Sequence, residues 1–153
     1  MVTDLPDERN GAWVVVSDVS PDGTTVLFHL PRGRNRNAEY DLWTAPLAGG
    51  EPTLLRKDAG YAQYAADGSI VFLDHPVPFG GDAIWVMDGD GSNARPLVEG
   101  AALMWPRVSP DGTKVAYGHD GKVEWVDIES AEVTTTEAHS EEPAWYGNDK
   151  LIV

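Results

Sequence analysis

The side chains best equipped for chemistry gather in three short stretches. Residues Pro31-Arg32-Gly33-Arg34-Asn35-Arg36-Asn37 put three arginines into five positions, in a chain with 11 Lys and Arg against 25 Asp and Glu. A guanidinium is a planar fork that matches a carboxylate or a phosphate. Arg32, Arg34 and Arg36 therefore make a grip for an acidic group on a partner, or, more plainly, a solvated loop that neutralises the chain's own acids. Residues Asp74-His75-Pro76-Val77-Pro78-Phe79-Gly80-Gly81 are stiffened by two prolines. Exposed, Phe79 is a contact anchor; folded back, it packs on the sheet edge. Residues Asp88-Gly89-Asp90-Gly91-Ser92-Asn93, with Glu99 at the twelfth position, resemble the start of a calcium loop. The flanking runs read as strands rather than helices, so an ordinary turn is the favoured reading.

Other chemistry lacks its residues. There is no cysteine, which excludes disulfides and thiolate metal sites. No G-x-S-x-G, H-E-x-x-H, phosphate-binding loop or dinucleotide fingerprint occurs, and the histidines His29, His75, His119 and His139 are scattered. The residues therefore point to a non-catalytic protein with no cofactor and no metal. A formal charge of −14 repels phosphate backbones and argues against nucleic acid. Basic proteins and divalent cations suit it better. Met1 to Gly11 is polar and acidic, unlike a signal peptide, and no stretch is apolar for long enough to span a bilayer. As given, the chain reads as soluble and cytoplasmic, or extracytoplasmic if a leader was removed.

What must position these stretches is a repeat. Ser20-Pro21-Asp22-Gly23-Thr24-Thr25-Val26-Leu27-Phe28 returns as Ala66-Asp67-Gly68-Ser69-Ile70-Val71-Phe72, and again as Ser109-Pro110-Asp111-Gly112-Thr113-Lys114-Val115-Ala116-Tyr117; the Asp-Gly turns lie 45 and 44 residues apart. A degraded copy, Gly147-Asn148-Asp149-Lys150-Leu151-Ile152-Val153, follows 37 residues after Asp111. Each Asp-Gly sits between short apolar runs, a hairpin signal in which Gly accepts positive φ. A second strand-turn-strand unit follows each: around Trp43, Trp85 and Trp125, then Thr53 to Leu55, Arg95 to Val98 and Val133 to Thr136. Four antiparallel strands, a to d, in each period of about 44 residues make a propeller blade.

These hairpins, together with the turn Met87 to Leu97, resemble the TolB-like, WD-repeat-like β-propeller family from about Trp13 onward. The resemblance implies an all-β fold and a role as an interaction module, an envelope-complex component or an accessory domain of a serine peptidase. One domain over 1–153 is expected, with blades at about 13–57, 58–100 and 101–138, a partial blade at 139–153, and 1–12 available as a ring-closing strand. Such an arc leaves end faces and strand edges uncovered. A homodimer completing a seven- or eight-bladed ring is the first expectation; a tight four-bladed ring and a fragment of a longer propeller are the others.

In such blades the b–c loops and d–a connections share one face, and the a–b and c–d turns the other. The tight turns read as structural. The loop face gathers the candidate partner-binding residues Arg32, Arg34, Arg36, Tyr61, His75, Phe79 and His119. His29 reads as a packed strand residue, and Trp43 and Trp85 as packing between blades. Asp18, Gln63, Arg107 and Ala144 fall at matching inner positions, where they line a channel filled by solvent. A protein-binding module is the leading function. The alternatives are a gating propeller of a serine hydrolase and a carbohydrate-binding propeller using Phe79 and Tyr61.

Overall fold

The computed structural model describes residues 14–32, 39–75 and 81–153. Strands β1 (Val15–Val19), β2 (Thr25–Pro31), β3 (Tyr40–Pro46) and β4 (Thr53–Arg56) form one four-stranded antiparallel sheet in chain order. Strands β5 (Ala59–Tyr64), β6 (Ile70–Asp74), β7 (Gly81–Met87), β8 (Arg95–Val108), β9 (Lys114–His119), β10 (Lys122–Asp127) and β11 (Val133–Thr135) form a seven-stranded antiparallel sheet, also in chain order. Strands β12 (Ala144–Tyr146) and β13 (Lys150–Ile152) make a hairpin. The described residues contain no helix, so the all-β expectation holds.

Each Asp-Gly unit folds as a tight hairpin. Gly23, Gly68 and Gly112 have φ of 70, 88 and 76°, a region that costs residues with a Cβ. Asp22 and Asp111 each accept a 2.6 Å hydrogen bond from the serine hydroxyl two residues back and another from the threonine N–H two residues on. The repeat thus encodes the turn through its side chains as well as its backbone.

One boundary differs from the sequence reading. A strand ending near Val98 and a separate inner strand were expected; instead β8 runs unbroken for 14 residues. Its first part pairs with β7 as far as Gly81↔Leu103, and its last part pairs with β9 from Met104↔Gly118. The change of partner is taken up in the strand by left-handed φ at Ala102 (57°) and Trp105 (50°), so no loop is needed.

Packing joins successive meanders. Leu27 and Leu42 of the first sheet bury against Ala59, Ala62, Ile70, Phe72 and Met87 of the next. On the other face of β6 and β7, Val71, Leu73, Ile84 and Val86 meet Val115, Tyr117 and Val126. Trp85 packs on the cluster that joins the first sheet to the next meander, as its periodic spacing suggested; Trp43 packs instead on Val26, Phe28, Leu30 and Ala45 of its own sheet. The Arg56 guanidinium sits 5.1 and 4.8 Å over the rings of Phe72 and Trp85, linking β4 to the following meander. At the first sheet, Val26, Phe28, Leu30 and Ala45 are buried on its far face. Among the described residues, Val14, Val15, Val16, Val19, Leu47 and Leu54 of this sheet and its turn are exposed.

The inner strands are tied by hydrogen bonds that repeat with the chain. The Tyr64 N–H donates to Asp18 Oδ2 and the Val108 N–H to Gln63 Oε1, both at 2.9 Å and across 46 and 45 residues. At the third joint Arg107 has no acceptor in its side chain; its carbonyl instead accepts from the Trp145 indole at 2.8 Å. Asp18 and Gln63 are therefore committed to the joints, a role the solvent-filled channel did not anticipate. Replacing Gln63 with Ala should leave the half-buried Val108 N–H unmatched and lower urea stability by about 1–3 kcal/mol. Gln63→Glu, which keeps an acceptor, should lose clearly less.

Candidate functional site

At the loop face, the first arginine of the 31–37 stretch is already engaged. Arg32 contacts Glu39 at 2.8 Å, Asp41 at 3.2 Å and Asp58. Asp41 is 1% exposed, and a buried carboxylate needs a close counter-charge. Arg32 thus ties the end of β2 to β3 and to the connection between β4 and β5. Arg34, Arg36 and Phe79 lie outside the described residues.

His75 follows β6 directly and is the open residue of this group, its side chain 57% exposed. Its N–H donates to the Asp58 carbonyl at 2.8 Å, and its Nδ1 lies 3.1 Å from Asp74 Oδ2. Asp58 thus joins His75 to Arg32. His119, at the end of β9, belongs to a separate network: its Nδ1 is 3.3 Å from Glu124 Oε2, and Glu124 also accepts from Thr135 Oγ1 at 2.9 Å. Burial, with Glu124 nearby, pushes the Tyr117 hydroxyl well above the usual phenol range. Hydrogen bonds from Thr135, Tyr117 and His119 hold Glu124 below the usual carboxylate range, outweighing its own desolvation.

Tyr61 lies within β5 rather than in a connection. The inner strand begins earlier than expected, at Ala59, and carries a bulge between Gly60 and Gln63. Tyr61 sits in that bulge at φ 49°, and Trp105 occupies the matching bulge of β8 at φ 50°. Their ring centroids are 5.5 Å apart, and Tyr61 is 5.2 Å from His29. His29 meets Tyr40 edge-on at 5.1 Å. A row of rings therefore crosses three meanders at their loop-side ends. Trp105 and Tyr40 escaped sequence reasoning, although Trp105 follows Tyr61 by 44 residues, the period of the hairpins.

The residues that resembled a calcium loop form the β7–β8 turn. Asp88 Oδ2 accepts from Asn93 at 2.7 Å and Asp90 Oδ1 from the Ser92 N–H at 2.9 Å, so both carboxylates brace the turn. Glu99 lies in β8 opposite Ala83.

No family model matches the chain, and no curated protein matches its sequence. Solved structures do match. TolB from Acinetobacter baumannii aligns at 24% identity with a TM-score of 0.68, over 90% of this chain and 36% of that one. The β-propeller domain of the Trilobed protease from Pyrococcus furiosus aligns at 17% identity and TM-score 0.66, over 92% of this chain and 47% of that one. The fold is that of a TolB-like β-propeller. The acylaminoacyl peptidase of Pyrococcus horikoshii aligns at 14% identity and TM-score 0.68, over 96% of this chain and 28% of that one. The chain thus spans half or less of each propeller-bearing protein it resembles.

Two outcomes follow for the propeller's loop face. Arg32→Gln strips Asp41 of this guanidinium and should lower urea stability by about 1–3 kcal/mol, where a freely solvated arginine would cost almost nothing. His29 is 2% exposed, with Nδ1 2.9 Å from Ser17 Oγ, and burial holds its pKa down at about 4. The unfolded chain takes up that proton near pH 6.5 and the folded one near pH 4. Stability is therefore full above pH 6.5 and falls on acidification, by about 3 kcal/mol in all. Urea titrations across this range should show the loss in wild type and a shallower one in His29→Phe.

Proposed function

We propose that this chain is a non-catalytic protein-binding propeller module, that its partner docks on the loop face around Tyr61, Trp105 and His75, and that a second copy completes the ring. The observation that carries this reading is the pair of left-handed bulges at Tyr61 and Trp105. Holding a residue with a Cβ in that conformation costs about 1 kcal/mol or more. Bulges re-aim side chains, and here two aromatics are half-buried at equivalent inner positions, Tyr61 at the end of β5 that pairs with the Asp74 end of β6, beside the exposed His75. Half-buried aromatic edges are the residues that anchor protein interfaces. His119 and the arginines of the 31–37 loop would extend the rim. Completion by a second copy is supported by the exposed Tyr146 and Ile152 on the last described hairpin, apolar surface that another blade would cover.

A second reading is favoured by the near-complete alignment with acylaminoacyl peptidase: the chain would be the accessory propeller of a serine hydrolase. An α/β-hydrolase segment encoded beside it would select that reading.

Light scattering at micromolar concentration should report twice the chain mass; a stable monomer removes the self-association. A partner captured with the wild-type chain should lose at least tenfold in affinity for His75→Glu and for Tyr61→Leu, with the melting curve of the exposed-site variant unchanged. Undiminished affinity in both variants overturns the loop-face assignment.

A further inference from the structure

Repeats make equivalent joints, so a joint that differs from its twin marks a place built for something else. Between the second and third meanders the a–b turns close on each other: a Cβ added to Gly112 would fall 2.8 Å from the Ala66 N. Between the first and second meanders the corresponding glycine is Gly68, and a Cβ there would meet nothing within 4 Å. The space beside it is a groove of about 430 Å³, lined by Pro21, Asp22, Thr44, Tyr64, Ala66 and Asp67 among others. A hollow of about 240 Å³ adjoins it, sharing Pro21, Tyr64 and Ala66 and adding Asp18 and Ser109. The sequence departs from its own pattern at this point. Ser20-Pro21 and Ser109-Pro110 open the other two turns, but the second turn has Ala65-Ala66, so the bulk that would narrow the groove is missing. One wall is fixed by backbone, since a Cβ on Gly89 would fall 2.8 Å from the Gly68 carbonyl oxygen.

The lining has a consistent chemistry. Asp22 and Asp67 each spend Oδ1 on their own turn, and those hydrogen bonds hold both below the usual carboxylate range. Ser20, Thr25, Thr44 and Tyr64 add hydroxyls, and among the described residues no Lys, Arg or His lines either space. Pro21 and the Tyr64 ring supply apolar surface between the carboxylates.

We infer that this groove between the first two meanders binds an extended segment of a partner protein that carries arginine or lysine side chains. The cationic heads meet Asp22 and Asp67, and the stems lie on Pro21 and Tyr64. The inference extends the protein-binding reading to the turn face, which the sequence reading assigned to structure alone.

Calorimetry on the full chain tests it, with an end-blocked hexapeptide of alternating arginine and glycine and a glutamine-for-arginine control. The arginine peptide should bind and the control should not. The double variant Ala65→Ser, Ala66→Pro rebuilds the turn used twice elsewhere in the chain. It should lose at least tenfold in affinity, and because Ala66 also packs against Gly112 of the third meander, its melting curve is compared with wild type. Asp67→Asn, which keeps the turn's acceptor, should lose a similar factor, and Glu129→Gln with Glu132→Gln on a distant turn should stay within twofold of wild type. No binding by the wild type, equal losses in the distant variant, or spermidine binding as tightly as the peptide would each overturn the groove. His75→Glu should leave peptide binding unchanged, so failure here and failure of the loop-face reading are told apart.

Discussion

The inner strand of each meander lies beside the inner strand of the next without pairing to it, so its amides that face the joint have no ladder partner. A half-buried N–H left that way costs about as much as a lost hydrogen bond. This chain answers with one side chain per joint. Asp18 serves Tyr64, and Gln63 serves Val108, each reaching from one period into the next. The apolar faces bring the meanders together without direction, and these directed bonds fix the depth at which each slides against its neighbour. Where the series reaches Arg107 the polarity reverses, and a backbone carbonyl accepts from an indole instead. The distances around the rim and the groove all presuppose this register.

Given that register, the two ends of the stack acquire different characters from the same sequence period. At the loop end the strands carry carboxylates that find cations: Arg32 serves Glu39, Asp41 and Asp58, Arg56 approaches Asp74, and His119 meets Glu124. The same end holds the row of rings from Tyr40 to Trp105. At the turn end the carboxylates are satisfied by hydroxyls and amides of their own hairpins, which fixes their geometry; Lys114 offsets part of the charge of Asp111, Asp127 and Asp149.

The fold was legible because its determinants are local: Asp-Gly turns between β-branched runs, repeated at 45 and 44 residues, specify hairpins that pack only against copies of themselves. The joints were less legible. Asp18 and Gln63 were correctly placed on the inner strands, yet their acceptor role depends on amides 46 and 45 residues away, which no local pattern displays. Arg32 contacts the chain's own acids, as the plainer of its two readings held, but which acids was not visible, because Asp41 and Asp58 reach it only through β3 and the β4–β5 connection. Tyr61 was displaced from its connection by a bulge, a one-residue irregularity that periodicity cannot show. Its partner Trp105 was visible in principle at the repeat distance, and so was the Ala65-Ala66 departure from Ser-Pro. A repeat is informative where it is kept, and the residues that break it deserve the same reading as those that make it.

Charge follows from this division of labour. Asp22, Asp67 and Asp111 on the a–b turns, with Asp90 and Asp127 on the c–d turns, are all held below the usual carboxylate range, chiefly by hydrogen bonds from their own turns. They stay ionised through any physiological pH, and several lack a cationic neighbour. Among the described residues, Asp41, Asp58 and Asp74 of the loop side have arginine partners, whereas Asp22 and Asp67 are held low by hydrogen bonds of their own turns. Such an uneven field orients an approaching basic protein before contact and weakens with salt. A stack whose turns had been braced by backbone alone would fold equally well but carry no such field. By using aspartate to close its hairpins, the repeat makes the carboxylates that brace its turns also carry fixed negative charge on that face.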